Sequence, residues 1–331
     1  MFKNLNLKKI TLLLVLVFAA ATAISCFLYF AQYGFNFSYG SMFSGNIEGG
    51  VRVDEQKTEA LQGLNGITIE TMIDTINILP SDTDEVKAHF YGNYLSANKN
   101  IKPEFTVFRS GDKLEIKIKY IHNIILSGFR SNLKLDVYIP KQYASDLKVS
   151  SVSGEIAADG LTLNSFICKT TSGDLDAKLI NAKEADIHTV SGEVQINGTY
   201  DSFTFKSTSG DLNSTAFTSK TSIIGSTSGK VKISGALGDI TAETVSGTQY
   251  LQYTAFSNSI DLKSTSAKIT IKLPGNAGFN LDYTATSGDV ECAFPITVTG
   301  SNAHNKLKGT VGNGKGTIKV RTTSGDLDIV K

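Results

Sequence analysis

A carboxylate recurs in the second half of the chain, directly after a Ser-Gly pair. The successive occupants of this position are Glu155, Asp174, Glu193, Asp211, Lys230, Thr248, Lys268, Asp289 and Asp326. If they stack at regular spacing, the first four carboxylates repel one another unless they are compensated. Two interpretations fit: a weak Ca²⁺ or polycation site, or water-exposed turn caps balanced by Lys169 and Lys206. Because the nonapeptide spacing of Ca²⁺-binding repeats is missing, the sequence favours turn caps.

The segment GTVGNGKG at 309–316 comes close to a phosphate-binding loop, with Gly309, Gly314 and Lys315 at the required spacing. Gly316 stands where such a loop needs the Ser or Thr that binds Mg²⁺, and the following TIKV predicts a strand. Without the N-terminus of a helix, the backbone amides do not converge on a phosphate. We therefore interpret the segment as a glycine-rich hairpin.

The other side chains that could act as nucleophiles or ligands are scattered. Cys168 and Cys292 fall on positions predicted to face a core, and too far apart for a disulfide, so we expect buried thiols. The four histidines show no ligand spacing and are expected to be exposed to solvent: His89, His122, His188 and His304. The sequence therefore predicts no catalytic residue, no cofactor and no metal site.

The composition agrees with this scarcity. The 331 residues include 33 Ser, 33 Thr and 30 Gly, but only 4 His, 4 Arg and no Trp. Lys and Arg total 32 against 31 Asp and Glu, and the net charge of +1 excludes a nucleic-acid-binding protein, which needs a basic excess. Three cysteines exclude a disulfide-stapled scaffold. Abundant Ser, Thr and Gly with 5 Pro predict strands and tight turns rather than disorder.

A short phrase of the type T-x-S-G-D recurs from residue 150 to the end of the chain. Its serine falls at Ser153, Ser172, Ser191, Ser209, Ser228, Ser246, Ser266, Ser287 and Ser324. Successive spacings are 18 to 21 residues, except for a last spacing of 37, which predicts one degenerate copy within 295–320. A fixed period of about 19 residues is the signature of a repeat architecture.

Around each repeat serine the residues alternate with period 2, as half-buried strands do. Apolar residues stand four before, three after and five after it, as Val149, Ile156 and Ala158 do around Ser153. One copy cannot bury its apolar row alone, but copies stacked at ~4.8 Å join their rows into ladders. We therefore predict an all-β fold, a narrow parallel β-solenoid (β-helix) of about 19-residue rungs, with a glycine at each corner for its positive φ.

The N-terminal segment carries the signal of a membrane anchor. Residues 10–30 contain no charge, and Lys3, Lys8 and Lys9 precede them. Such a run can span a bilayer as a helix, with the flanking lysines in the cytoplasm. The alternatives are a cleaved secretory signal and a lipoprotein signal with Cys26 as the lipidated residue. The apolar run continues beyond any cleavage site, and the residues after Cys26 are not polar, which favours a retained anchor.

These observations predict a domain organisation in five parts. The parts are a cytoplasmic stub (1–9), one transmembrane helix (10–33), a linker (34–50), an irregular β lead-in (51–149) and the regular repeats (150–331). Whichever N-terminal alternative holds, the bulk of the chain lies outside the cytoplasm.

Three stretches resemble a known family. LDVYIPKQYASDLKVSSVSGEI (135–156), the serial T-x-SGD phrases and GKGTIKVRTTSGDLDIV (314–330) resemble the bacterial putative-adhesin family of unknown function. The resemblance covers roughly 50–331 and rests on many weak repeats. It implies an envelope protein of repeated strands, often behind an N-terminal membrane segment and sometimes encoded beside envelope-stress genes. No catalytic residues are defined for this family, so the resemblance implies none here.

Together, residues and resemblance predict a non-enzymatic, single-pass protein of the cell membrane. Its extracytoplasmic domain would present a β surface for adhesion, or for binding a macromolecule such as a cell-wall polymer. An alternative is an envelope-stress sensor or modulator that acts on a membrane partner. A polysaccharide-active β-helix enzyme is disfavoured, because the rungs leave few loops and 293–316 holds no carboxylate. End-to-end self-association is a further expectation, since the last copy ends at Lys331 without a cap.

Overall fold

The computed structural model describes residues 50–96, 102–120 and 129–331. Within these ranges the chain forms strands and no helix, and hence no helix that could cross a bilayer. The predicted stub, the predicted transmembrane helix (10–33) and nearly all of the predicted linker lie outside the described residues, as do Cys26 and His122.

The described strands number 26 and belong to one sheet. The first thirteen are β1 (Val51–Ala60), β2 (Gly66–Glu70), β3 (Thr75–Ser81), β4 (Glu85–Leu95), β5 (Pro103–Ser110), β6 (Lys113–Tyr120), β7 (Arg130–Ser131), β8 (Lys134–Pro140), β9 (Asp146–Ser151), β10 (Ile156–Asp159), β11 (Thr162–Thr170), β12 (Leu175–Lys178) and β13 (Asn181–Thr189). The others are β14 (Val194–Ile196), β15 (Gly198–Ser207), β16 (Leu212–Ser226), β17 (Val231–Thr244), β18 (Thr248–Tyr253), β19 (Ser259–Ser264), β20 (Lys268–Lys272), β21 (Phe279–Ala285), β22 (Val290–Cys292), β23 (Ile296–Ala303), β24 (Lys306–Val311), β25 (Gly316–Thr322) and β26 (Leu327–Val330).

In the centre of the molecule, strands pair in parallel at an offset of one repeat. Strands that precede a Ser-Gly corner form what we call the leading ladder, in which Cys168 of β11 lies opposite Val149 and Ile187. Strands that follow a corner form the trailing ladder, in which Leu175 of β12 lies opposite Ile156 and Val194. β16 and β17 run through the second turn without a break and contribute to both ladders.

Alternate residues of both ladders point into one hydrophobic core. Every residue four before a repeat serine is buried: Val149, Cys168, Ile187, Phe205, Ile224, Ala242, Leu262, Tyr283 and Val320. Tyr200, Phe203 and Phe217 add an aromatic cluster with ring centroids 4.9 to 5.6 Å apart. The inward positions predicted from the period-2 pattern are confirmed for this column.

At both ends of the molecule, strand order departs from chain order. Near the N-terminal end, β2 lies between β6 and β9, and β3 lies between β8 and β10. Near the C-terminal end, β25 is inserted between β19 and β21, so that Ile318 lies opposite both Ile260 and Leu281. In the same way β26 is inserted between β20 and β22. The last part of the chain is therefore interior rather than terminal in the sheet.

Antiparallel pairs close both ends. β1 pairs with β4, β4 pairs with β8, and β5 pairs with β6 at one end. At the other end β24 pairs with both β21 and β23. The prediction of a degenerate copy within 295–320 is wrong, because β23 and β24, which lie in this stretch, pair as antiparallel strands.

The predicted fold class, a parallel β-solenoid of serial rungs, is therefore wrong. The chain folds instead as one mixed sheet around a single core, and strand order follows chain order only in its central part. A purely serial stack would leave unpaired strand edges and an exposed apolar cross-section at both ends, and the antiparallel strands cover these. The reason given for end-to-end association is also wrong, because β26 has a partner strand on each side.

Candidate binding surface

Most Ser-Gly corners are closed by a hydroxyl group three residues before the glycine, the exceptions being those at Gly247 and Gly288. Thr170 Oγ1 accepts a hydrogen bond from the Gly173 amide at 2.8 Å and donates one to the Gly173 carbonyl at 2.9 Å. Ser207 makes the same pair of bonds with Gly210, at 2.6 and 2.9 Å. The hydroxyl replaces a backbone partner and holds the turn, as Ser and Thr do in local side-chain turns.

The corner glycines stack on one another. A Cβ atom on Gly173 would lie 2.1 Å from the carbonyl oxygen of Gly154, and one on Gly192 would lie 2.0 Å from that of Gly173. Close backbone approach, rather than positive φ, therefore requires glycine here. The sequence predicted that each corner glycine is needed for its positive φ. Among these glycines, only Gly247 has a positive φ, of 117°.

The two columns of residues before the corner glycines, and before Asp74 and Ala267 where these replace glycine, face the solvent and form a continuous surface, which we call the corner strip. Its first column is Met72, Val152, Thr171, Val190, Thr208, Thr227, Val245, Thr265, Thr323 and Thr286, in the order in which they stack. Its second column is Ser153, Ser172, Ser191, Ser209, Ser228, Ser246, Ser266, Ser324 and Ser287. Each serine amide donates to the carbonyl of the preceding first-column residue, at 2.7 to 3.0 Å.

The corner strip is long, regular and uncharged. Its first column has ten positions, which at ~4.8 Å per step span roughly 43 Å. Val152, Val190 and Val245 are 45 to 50% exposed, and threonines of the same column separate them from one another. The sequence prediction did not include this strip, although its signal is present there as a Val or Thr before every repeat serine.

Three aspartates after the corners, Asp174, Asp211 and Asp326, act as caps between stacked copies. Asp174 Oδ1 accepts the amide of Glu193 at 2.7 Å, and Asp211 Oδ1 accepts that of Lys230 at 2.7 Å. Asp174 and Asp211 are thus compensated by backbone amides rather than by the predicted Lys169 and Lys206. Within the described ranges, no group of three or more His, Cys, Asp and Glu could hold a metal ion.

The glycine-rich segment 309–316 joins β24 to β25 through a turn with positive φ at Gly312 and Gly314, of 57° and 63°. These two strands do not pair with each other, since β21 lies between them. The hairpin prediction is therefore wrong. A strand follows the segment, as predicted.

Cys168 and Cys292 are free, and the predicted burial of the thiol is confirmed for Cys168 but not for Cys292. Burial raises the pKa of the Cys168 thiol to about 12, and Cys292 is half-buried. The prediction of solvent-exposed histidines is wrong for two of them. His188 Nε2 lies 2.8 Å from Asp186 Oδ1, and His89 Nε2 lies 2.9 Å from Asp54 Oδ1, with both histidines about one third exposed.

Asp74 is a buried acid that the sequence analysis missed. It occupies the place of glycine in the first corner, where its amide donates to Thr71 Oγ1 at 3.3 Å and its carbonyl lies under Gly154. The Tyr120 hydroxyl donates to Asp74 Oδ1, whereas Oδ2 is buried without a hydrogen-bond partner. Burial raises the pKa of Asp74 to about 6 and also raises that of Tyr120.

Comparison with known proteins gives one family and several solved structures. Residues 64–330, about four fifths of the chain, match the family described as Toastrack DUF4097. No curated protein is detectably similar in sequence.

Three solved structures are similar to this chain. A putative adhesin from Parabacteroides distasonis has a TM-score of 0.49 and 13% identity over 85% of this chain and 98% of its own. A putative lipid binding protein from the same species has a TM-score of 0.49 and 12% identity over 84% and 97%. A putative cell adhesion protein from Clostridium sporogenes has a TM-score of 0.21 and 14% identity over 84% and 99%. Because the family match covers most of the chain, the protein belongs to the Toastrack DUF4097 family, the bacterial putative-adhesin family that its repeats resemble.

Proposed function

We propose that the protein is a non-enzymatic cell-envelope protein whose corner strip binds a repetitive extracellular macromolecule, such as a cell-wall polymer. The observation that carries this proposal is the regular array of exposed Val, Thr and Ser side chains at one spacing across the molecule. A regular array suits a partner with a regular repeat, because each contact is weak but many form together.

The corner strip is also pre-organised for binding. Its backbone is fixed by the serine amide bonds, so little conformational entropy is lost on binding. Ser191 and Ser246 donate their hydroxyl protons to neighbouring carbonyls at 3.3 Å, which leaves their oxygen lone pairs free to accept from a partner. The β-branched Val and Thr side chains have few rotamers to lose.

The proposal includes an anchor in the cell membrane, with the strand domain on the extracytoplasmic side. It is supported by the uncharged run at 10–30 and the lysines before it. Such an anchor would hold the strip within reach of polymers at the cell surface.

Cosedimentation of the full-length protein, in detergent micelles, with purified cell wall tests the proposal. The double variant Thr208→Lys/Thr227→Lys places two long charged side chains on the strip and should lower the apparent affinity at least tenfold. The matched control Thr221→Lys/Thr241→Lys changes two exposed threonines on the outward face of the leading ladder and should bind as the wild type does. Equal binding by both variants would contradict the role of the strip.

A further inference from the structure

A cavity of about 350 Å³ lies on the outward side of β1 and β4. Arg52 and Asp54 on β1 lie opposite Asn93 and Tyr91 on β4, and His89 completes the polar lining. The volume falls at the lower end of the range for small-ligand sites, about 300 to 1,000 Å³. The antiparallel register of β1 and β4 thus brings side chains some 40 residues apart into one depression.

The polar groups of this cavity are held in place by one another. Arg52 Nη2 donates to Asp54 Oδ2 at 2.8 Å, and His89 Nε2 lies 2.9 Å from Asp54 Oδ1. Asp54 nevertheless stays 51% exposed and Arg52 78% exposed, so lone pairs and N–H groups remain for a ligand. A carboxylate that accepts beside a guanidinium that donates matches two neighbouring hydroxyl groups, each of which can do both.

Aromatic rings form a wall of the same cavity. The rings of His89 and Tyr91 stack with centroids 4.6 Å apart and an angle of 24° between their planes. The Tyr91 hydroxyl donates to Asp136 Oδ2 at 3.1 Å, and Asn77 Nδ2 donates to Asp136 Oδ1 at 2.6 Å. Tyr91 is therefore held at both its ring and its hydroxyl. A fixed aromatic edge of this kind contacts apolar C–H groups while its neighbours bind hydroxyls.

The charges of the cavity exclude other ligand classes. The positive charge of Arg52 is already matched by Asp54, whose pKa is lowered chiefly by its bonds to His89 and Arg52, so an anion gains little. One carboxylate and one imidazole are too few for a metal ion, and no metal-binding group occurs in the part of the chain that the structure describes. A purely apolar ligand would leave these polar groups unpaired.

We infer that this cavity binds one ring of an uncharged, hydroxyl-rich glycan. This inference goes beyond the proposed function, because the residues of the cavity are not part of the corner strip. Asn77 and Asp136 also line a second depression, of about 190 Å³, together with Asp176 and Lys178. This depression offers polar contacts to the next sugar ring of the glycan.

Titration calorimetry with the full-length protein tests the inference, with chitotetraose, cellotetraose and maltotetraose as probes. The variants are Arg52→Gln/Asp54→Asn, which removes the polar pair, and Tyr91→Leu, which removes the aromatic wall. The matched control is Lys141→Gln/Asp82→Asn, an exposed ion pair of the same length, 2.8 Å, outside the cavity. We expect at least one probe to bind, both cavity variants to weaken it at least tenfold, and the control to bind as the wild type does.

Two results would overturn the inference. One is that none of the three probes binds, and the other is that the cavity variants bind as tightly as the control. If cell wall still cosediments through the strip in either case, the proposed function stands without the glycan site. If a probe binds in the cavity while cell wall does not cosediment, the glycan site stands and the proposed role of the strip falls. Arg52 and Asp54 are exposed, so their replacement tests binding without disturbing the core.

Discussion

At the scale of single residues, Asp74 shows how the first corner differs from those stacked upon it. In the later corners, except the one at Ala267, a glycine lies under the carbonyl of its neighbour, and a Cβ atom would collide with that carbonyl. Asp74 begins the stack and carries a side chain that is buried beside Tyr120. Burial without a partner for Oδ2 opposes ionisation, and this makes Asp74 the clearest source of pH dependence in the domain.

Stability should fall as the pH rises through the range in which Asp74 ionises. The pKa is about 6 in the folded chain against an ordinary 3.8, so the folded state is favoured at low pH and loses roughly 2 kcal/mol between pH 4 and 7. Asp74→Asn should remove this part of the pH dependence. Urea unfolding at pH 5, 6 and 7 measures it, and Asp159→Asn, at an exposed site, serves as control. Parallel pH profiles for wild type and Asp74→Asn would contradict the assignment.

At the scale of elements, the insertion of β25 and β26 is the feature that separates this fold from a serial stack. Ile318 of β25 is fully buried between Ile260 and Leu281, on strands that precede it in the chain. In a serial stack the last strand would cover one end only. Here it joins the hairpin-like end, β21 to β24, to the regular centre of the sheet.

The substitution Ile318→Ala should therefore cost as much as a substitution in the centre of a core. Removal of a fully buried isoleucine side chain costs about 2 to 5 kcal/mol, since it leaves a cavity. Ile223→Ala, at a site that is 53% exposed on β16, should cost less than about 1 kcal/mol. The free energies of unfolding in urea give the comparison. A small cost for Ile318→Ala would indicate that β25 lies at an edge.

At the scale of the whole molecule, two surfaces run along the stacked copies and differ in charge. The corner strip consists of Val, Thr and Ser with one Met, whereas the neighbouring column after the corners begins with four carboxylates. Contacts made by exposed charges weaken as salt rises, because the Debye length falls from about 10 Å at 0.1 M to about 3 Å at 1 M. Salt dependence therefore distinguishes which surface a polymer uses.

Binding through the corner strip should be insensitive to salt. We expect the fraction of protein that cosediments with cell wall to change less than twofold between 0.05 and 0.5 M NaCl. The acidic column offers an internal control, because soluble polylysine, if it binds there, should dissociate over the same range. A steep loss of cell-wall binding with salt would assign the contact to charged residues instead.

The sequence by itself determined the repeating unit. Period-2 alternation identified the buried columns, such as the one through Cys168 and Ile187, because side chains of a strand point to opposite faces whatever lies beside it. The recurring Ser-Gly pair identified the corners, and the resemblance of the repeats identified the family. These features are local, and they recur in each copy of the repeat.

Only the tertiary structure decided which strands are neighbours. Alternation is the same in parallel and antiparallel strands, so the pattern of β4 or β24 could not show that they reverse direction and close the ends. The Asp74–Tyr120 contact and the cavity of Arg52, Asp54 and His89 arise from pairings between distant segments. Such pairings depend on which strand edges and which apolar surfaces the rest of the chain leaves exposed. A local sequence pattern does not contain this information.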